Sequence, residues 1–233
     1  MTGPTFEAEV DEPPAFVFDL DGTLIDSVYQ HVVAWHDALR QLGVNLPVWR
    51  IHRRIGMSGG LFVEALARET GMAVDEAVSR RISRAHVEAF ERLRASIAPL
   101  PGAEALLQAL ERAGVRWAIA TSGSSEVAYP ALELLGVPDA TLVTRNEVRH
   151  AKPDPDLFLV AAARLHVPAA RCVVVGDSVW DLLAARRARA LGIGLLSGGY
   201  GRDELERAGA YRIYEDPADL LSHLDEIGVR QVP

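Results

Sequence analysis

The sequence predicts an α/β protein in which an all-helical insertion interrupts a parallel sheet. Short apolar runs, typical of strands buried on both faces of a sheet, recur at residues 15–19, 115–121, 140–144, 171–177 and 193–197. Helical patterns of about 12 residues lie between most of these runs, at residues 103–113, 124–135, 155–165 and 181–190. Strands and helices that alternate at this spacing indicate β-α-β units, and therefore a Rossmann-like sheet.

One segment interrupts this alternation. Residues 28–96 contain no convincing strand pattern, and three helical patterns occupy them, at residues 28–42, 60–70 and 74–94. We therefore predict an α/β core formed by residues 1–27 and 97–233, and a helical cap formed by residues 28–96. Pro99 and Pro101 are expected to end the last cap helix and to start the next helix of the core.

The composition excludes several classes of protein. Of the 233 residues, 49% are hydrophobic and 24% are charged, which allows a core of normal size without metal or disulfide cross-links. The net charge of −8 argues against a protein that binds nucleic acid, and no apolar run approaches the roughly 18 residues that span a bilayer. The single cysteine, Cys172, fits a reducing compartment, and residues 1–14 lack the apolar core of a signal peptide. We expect a cytoplasmic protein with no nucleic-acid or membrane partner.

Polar residues follow the predicted strands at the points where the strands end. Ligands of an open parallel sheet bind outside the carboxyl ends of its strands, so these residues are the candidates for chemistry. They are Asp19, Asp21 and Thr23 after the first strand, Thr121, Ser122 and Gly123 after the second, Lys152 past the third, and Asp177, Ser178 and Asp181 after the fourth. We expect them to form one site.

The residue types at this site are suited to the transfer of a phosphoryl group. Mg²⁺ prefers carboxylate oxygens, and its predicted ligands are Asp19, Asp21 and Asp177. A carboxylate beside a divalent cation stays ionised, so Asp19 is the predicted nucleophile that attacks phosphorus. Asp21 is predicted to protonate the leaving oxygen and later to deprotonate water.

The other residues of the set are predicted to bind and orient. A seat for phosphate oxygens ahead of a helix is predicted at Thr121, Ser122 and Gly123. Lys152 adds positive charge where the phosphoryl group gains negative charge. Ser178 and Asp181 are expected to orient the metal ligands or to bind the ion through water.

Four short motifs in this order resemble those of a known family. DLDGT at residues 19–23, TSG at 121–123, KP at 152–153 and GDSxxD at 176–181 look like the motifs of the haloacid dehalogenase-like superfamily. The helical insertion resembles the small cap of the subgroup that includes phosphoglycolate phosphatase and β-phosphoglucomutase. The resemblance spans Phe16 to about Leu221. It implies Mg²⁺ dependence, an aspartyl-phosphate intermediate, and a small phosphorylated metabolite, such as a sugar phosphate or phosphoglycolate, as the substrate of a phosphatase.

Other activities of this superfamily are alternatives. Dehalogenases lack the second aspartate, which is Asp21 here, so dehalogenation is disfavoured. A β-phosphoglucomutase-like phosphomutase is harder to exclude, because His31 and the loop Gly56-Met57-Ser58 resemble mutase positions. The mutase loop continues with an arginine that binds a second phosphate, whereas this chain has Gly59-Gly60. A catalytically silent relative that acts in binding or regulation is a further alternative, although every reacting group is present.

Two cap residues are predicted to contact the substrate. His31 lies in the first cap helix, and Arg54 lies just before the cap loop that is expected to face the core. An arginine at this position could pair with a second anionic group on the substrate, such as a carboxylate. A solvated surface arginine is the alternative interpretation of Arg54.

Overall fold

The computed structural model describes residues 13–71 and 73–229, so most of the leader lies outside the described residues. The strands are β1 (Ala15–Phe18), β2 (Ile25–Asp26), β3 (Ala98–Pro99), β4 (Trp117–Ala120), β5 (Leu142–Val143), β6 (Cys172–Gly176), β7 (Leu191–Leu195) and β8 (Arg212–Tyr214). The helices are α1 (Val28–Arg40), α2 (Val48–His52), α3 (Gly59–Thr70), α4 (Glu76–Glu91), α5 (Ala103–Arg112), α6 (Ser125–Leu134), α7 (Asp156–Arg164), α8 (Val179–Ala188), α9 (Arg202–Ala208) and α10 (Pro217–Ser222).

Six of these strands form one parallel sheet in the order β5-β4-β1-β6-β7-β8. The predicted α/β fold is therefore confirmed. Strand β1 lies at the centre and is buried on both faces, because its side chains alternate between two hydrophobic clusters. Phe16 and Phe18 pack with side chains of α5 and α6, whereas Val17 packs with those of α7 and α8. From β1 the sheet extends through β4 and β5 on one side and through β6, β7 and β8 on the other. The carboxyl end of β1 therefore lies at the switch point of the sheet.

Helices α1 to α4 follow one another along the chain between β2 and β3, and they pack on one another. Their apolar faces meet in a cluster that includes Trp35, Ile51, Phe62 and Ile82. The residues described between positions 28 and 96 contain no strand, as the sequence predicts. They include the short helix α2, which no periodic pattern in the sequence predicts. The exact domain boundaries stay predictions. None of the helices in the described part of the chain has the length and apolar character that crossing a membrane requires.

The chain leaves and re-enters the core through a two-stranded antiparallel ribbon. Ile25 pairs with Pro99, and Asp26 pairs with Ala98. The expectation that a proline ends the last cap helix was wrong, because α4 ends at Glu91 and Pro99 lies in β3. Pro101 does lie just before α5. A proline is tolerated in β3 because both strands of this short ribbon are edge strands, which can lack the backbone N–H that proline does not have.

The core predicts a test of stability. Ile119 of β4 is fully buried in the cluster with Phe16, whereas Leu191, the first residue of β7, is 38% exposed. Replacing Ile119 by Ala removes buried methyl groups and leaves a cavity, so we expect the free energy of unfolding to fall by about 2–5 kcal/mol. Leu191→Ala is the matched control, with a loss of roughly 1 kcal/mol or less. Urea denaturation measures both, and equal losses would contradict the assignment of Ile119 to the core.

Candidate active site

The carboxyl edge of the sheet brings the predicted polar residues together. Asp19 directly follows β1, and its backbone N–H donates to the carbonyl of Val175 in β6 (2.9 Å), which fixes it between these two strands. Thr121 follows β4 and Asp177 follows β6. All three side chains are buried.

Lys152 is the cation at the centre of this edge. Its side chain is fully buried, and its ammonium pairs with Asp19 and with Oδ1 of Asp181 (2.8 Å). The ammonium also lies 5.3 Å from the centre of the Phe158 ring. Burial alone would lower the pKa of Lys152, but the charges of Asp181 and Asp19 outweigh burial and raise it. The lysine therefore remains charged at neutral pH.

Three carboxylates form one acidic group, and two of them, Asp19 and Asp181, contact this ammonium. Oxygens of Asp19, Asp177 and Asp181 lie within 4.8 Å of one another. Burial, followed by the charge of Asp181, raises the pKa of Asp19 to about 7 against the attraction of Lys152. The same two causes, burial first, raise the pKa of Asp177 well above its ordinary value. Three ionised carboxylates and one ammonium would leave two net negative charges, so a divalent cation that prefers oxygen ligands fits this donor set.

Asp177 packs against the turn that follows β1. The Thr23 hydroxyl donates to Oδ1 of Asp177 (2.9 Å). Gly22 has a φ of +83°, and a Cβ atom on it would lie 2.6 Å from Oδ2 of Asp177, so only glycine fits there without displacement. The Ser197 hydroxyl donates to the Gly22 carbonyl (2.6 Å) and ties this turn to the loop after β7.

Asp181 contacts two of its neighbours, Ser178 and Lys152. One of its oxygens, Oδ2, accepts hydrogen bonds from the backbone N–H (3.1 Å) and the hydroxyl (2.5 Å) of Ser178, in a capping box at the start of α8. The other oxygen faces Lys152. A Cβ atom on Gly176 would lie 2.3 Å from the Cβ of Asp181, so the glycine permits this close approach. The orienting role predicted for Ser178 and Asp181 stays a prediction, with these contacts as its geometry.

Asp21 does not belong to the acidic group. Its Oδ1 accepts hydrogen bonds from the Ser27 hydroxyl (2.6 Å) and from Nε2 of His31 in α1 (3.1 Å). Burial raises the pKa of Asp21, but the charge of His31 and the hydrogen bonds from His31 and Ser27 outweigh burial and lower it. The acidic group contains Asp181 in place of the Asp21 expected from the sequence, because the Asp21 carboxylate is directed toward the cap.

The contact with Asp21 continues into the cap through a second histidine. Nδ1 of His31 lies 3.1 Å from Nε2 of His86 in α4, and both rings are buried. His31 stacks on Phe90 and His86 stacks on Trp35, with ring centres 3.9 and 4.0 Å apart. Burial and the charge of His31 keep the pKa of His86 well below its ordinary value, so His86 is neutral at pH 7. His86 was missed in the sequence, where no local pattern distinguishes it.

The predicted phosphate seat borders a cavity of about 240 Å³ between core and cap. The backbone N–H of Gly123 donates to the hydroxyl oxygen of Thr121 (2.9 Å). The buried hydroxyl oxygens of Ser122 and Ser124 have no hydrogen-bond partner within the described chain, and both residues line the cavity. Buried donors without partners are costly, so they mark a place where a ligand supplies acceptors.

The cap wall of this cavity is largely apolar. Its side chains include Trp35, Ile55, Phe62 and Val87. Arg54 also lines the cavity, but its guanidinium pairs with Glu69 and donates to the carbonyl of Arg50 (2.7 Å). The structure therefore places Arg54 at the predicted position, already paired with a carboxylate of the cap.

A second set of contacts joins the cap to the loop after β7. Nε2 of His52 donates to the Gly198 carbonyl (2.8 Å), and the Tyr200 hydroxyl donates to the Arg53 carbonyl (2.9 Å). The Arg53 guanidinium pairs with Glu204 and lies 4.3 Å from the centre of the Tyr200 ring. The cap thus touches the core at this loop as well as at Asp21.

Comparison with known proteins agrees with this geometry. A model of the haloacid dehalogenase-like hydrolase family matches residues 13–189. Hexitol phosphatase A of Escherichia coli (strain K12) is 36% identical over 176 residues, or 74% of this chain and 78% of the relative. Phosphoglycolate phosphatase of Xanthomonas campestris pv. campestris (strain 8004) is 32% identical over 224 residues, or 95% of this chain and 94% of the relative.

A solved structure extends this agreement to the fold. The crystal structure of a hydrolase from Pseudomonas syringae is 54% identical, has a TM-score of 0.90, and covers 92% of this chain and 99% of that chain. The resemblance seen in the four motifs is confirmed. The chain belongs to the haloacid dehalogenase-like hydrolase family.

Proposed function

We propose that this chain hydrolyses a small phosphomonoester, with Mg²⁺, through an aspartyl-phosphate intermediate. Both curated relatives described above are named as phosphatases. The observation that supports the proposal most directly is the place of Asp19. This carboxylate is paired with Lys152 and lines the same cavity as Thr121 and the unpartnered Ser122 hydroxyl, so a phosphate bound by these donors meets a nucleophile.

In the first step, an Asp19 oxygen attacks phosphorus, the bond between phosphorus and the ester oxygen breaks, and the leaving alcohol takes a proton from Asp21. The Lys152 ammonium offsets the negative charge that develops on the phosphoryl oxygens. In the second step, Asp21 removes a proton from water as the water oxygen attacks the same phosphorus. Phosphate leaves and the Asp19 carboxylate is restored.

The surroundings of Asp21 suit it to both steps. The hydrogen bonds from Ser27 and His31 favour its ionised form, which is the form that accepts a proton from water. A phosphate dianion bound beside Asp21 adds negative charge and raises its pKa, so proton uptake accompanies substrate binding. An ionised carboxylate has no hydrogen to donate, so Nε2 of His31 bears the hydrogen of their contact.

Asp19, Asp177 and Asp181 are the side chains that would hold or surround Mg²⁺, since their oxygens share one small volume. Bound there, Mg²⁺ would supply positive charge to offset that of the phosphoryl oxygens. Thr23 and Lys152 fix the orientation of the acids before an ion arrives.

The first functional prediction concerns turnover. The purified protein should release phosphate from p-nitrophenyl phosphate in MgCl₂, lose this activity in excess EDTA, and recover it when Mg²⁺ is restored. The reason is that the acids, once ionised, would repel a phosphate dianion unless a divalent cation balanced their charge. Undiminished hydrolysis in the chelator would contradict a role for the metal.

The second prediction concerns metal binding without turnover. At a hundredfold excess over its Kd, Mg²⁺ should stabilise the protein by about 2.7 kcal/mol, which raises Tm by roughly 5–10 °C for a chain of this size. Asp177→Asn should raise the Tm of the metal-free protein, because it removes a buried repelled charge, and should abolish the response to Mg²⁺. Asp203→Asn, on the exposed face of α9, is the matched control and should respond as the parent does. A full response in Asp177→Asn would show that the ion binds elsewhere.

The third prediction separates the roles of Asp19 and Asp21. Asp19→Asn should abolish turnover and any covalent phosphoenzyme. Asp21→Asn should still transfer a phosphoryl group from p-nitrophenyl phosphate, whose leaving group needs no proton, and should accumulate the phosphoenzyme because water is no longer activated. Mass spectrometry of the rapidly quenched protein measures this species. Its absence in Asp21→Asn would contradict the assigned acid and base.

A further inference from the structure

Two arginines line the cavity beyond the phosphate seat, and they differ in their partners. Arg54 belongs to the cap, and its guanidinium pairs with Glu69, a carboxylate that it shares with Arg50. Arg145 belongs to the core and follows β5. One nitrogen of its guanidinium, Nη1, donates to the Val148 carbonyl (2.8 Å), and no carboxylate in the described part of the chain lies within ion-pair distance of it.

The backbone holds Arg145 beside the phosphate seat. Its N–H donates to the carbonyl of Gly123 (3.0 Å), the last residue of that seat. The next residue, Asn146, accepts a hydrogen bond from the backbone N–H of Ser125 (3.1 Å) at the start of α6. Two bonds therefore connect the segment after β5 to the segment after β4. The half-buried Arg145 side chain is thereby fixed at the wall of the cavity.

A hydroxyl without a hydrogen-bond partner in the described residues lies on the same wall. The Ser124 hydroxyl oxygen is buried without a hydrogen-bond partner in the described residues, although its position at the start of α6 would allow it to cap that helix. The facing cap wall combines the apolar side chains of Trp35 and Phe62 with polar ones such as Ser83. The half-buried guanidinium of Arg145 can pair with an anion that enters the cavity, and partial burial makes such a contact stronger than it is in water.

We propose that Arg145, together with Ser124, recognises a second anionic group on the substrate. This inference rests on the proposed function and adds a substrate class to it: phosphomonoesters whose organic part bears a carboxylate or a comparable anion. A planar guanidinium binds a carboxylate through two parallel hydrogen bonds, which an alcohol cannot match. Recognition thus comes from the core side of the cavity. Arg54, the residue expected from the sequence, is occupied by Glu69.

The experiment compares two esters with the same skeleton. 3-Phosphoglycerate and glycerol 3-phosphate differ chiefly in a carboxylate that replaces a hydroxymethyl group. We expect kcat/KM of the parent enzyme to favour 3-phosphoglycerate, and Arg145→Gln to reduce this preference by about tenfold or more. Turnover of p-nitrophenyl phosphate, which has no second anion, should stay within a small factor. Arg149→Gln is the matched control, since it removes an exposed arginine of the same segment.

Inhibition gives a readout that does not depend on turnover of a charged ester. Phosphonoacetate should inhibit the parent enzyme more strongly than methylphosphonate, and Arg145→Gln should remove that difference while leaving inhibition by inorganic phosphate unchanged. Arg145→Lys keeps the charge but not the paired hydrogen bonds, so it should recover only part of the preference.

Several outcomes would overturn the inference. The parent enzyme could favour glycerol 3-phosphate, or the preference for 3-phosphoglycerate could be unchanged in Arg145→Gln. The preference could instead disappear in Arg54→Gln. An equal loss of kcat/KM on all esters in Arg145→Gln would make Arg145 a structural residue. The proposed function fails separately, if the parent enzyme releases phosphate from no ester in Mg²⁺, p-nitrophenyl phosphate included.

Discussion

The buried ion pairs of Lys152 are the constraint on which the site depends. An ammonium without a partner in the interior costs several kcal/mol, so Lys152 can be buried only while Asp19 and Asp181 face it. These acids come from the end of β1 and from the first turn of α8, and Lys152 comes from the segment before α7. Three separate parts of the chain are therefore held in one arrangement by charge. The positive charge of Lys152 in turn offsets part of the repulsion between these carboxylates.

The same edge of the sheet couples the acids to the cap in two places. Asp21 contacts His31, so the side chain assigned to proton transfer is oriented by the cap. The loop after β7 contacts His52 through the Gly198 carbonyl, and Gly198 itself packs so closely on Asp177 that a Cβ atom there would lie 1.8 Å from its Oδ2. A change in the position of the cap would therefore displace groups that contact Asp21 and the loop that packs on Asp177.

The sequence predicted the parts of this structure that depend on local signals. Buried strands are short apolar runs, and the residues after them share one edge, so the neighbourhood of Asp19 followed from order alone. Helix α2 has only five residues and strand β8 only three, which is too short for a periodic pattern. His86 and Arg145 were missed for a different reason. Their partners lie on other elements, and whether a cation is already neutralised depends on side-chain contacts that one sequence does not reveal.

The ribbon formed by β2 and β3 makes the cap an exchangeable module. Residues on paired antiparallel strands lie about 5 Å apart, so the chain leaves the core and returns to it at almost the same point. An inserted segment of any length whose ends meet at this spacing can occupy the position without stretching the sheet. In the proposed function, phosphoryl chemistry belongs to the residues at the strand ends, while the inserted segment supplies the other wall of the cavity. The ribbon thus lets the length of the inserted segment change without displacing the residues at the strand ends.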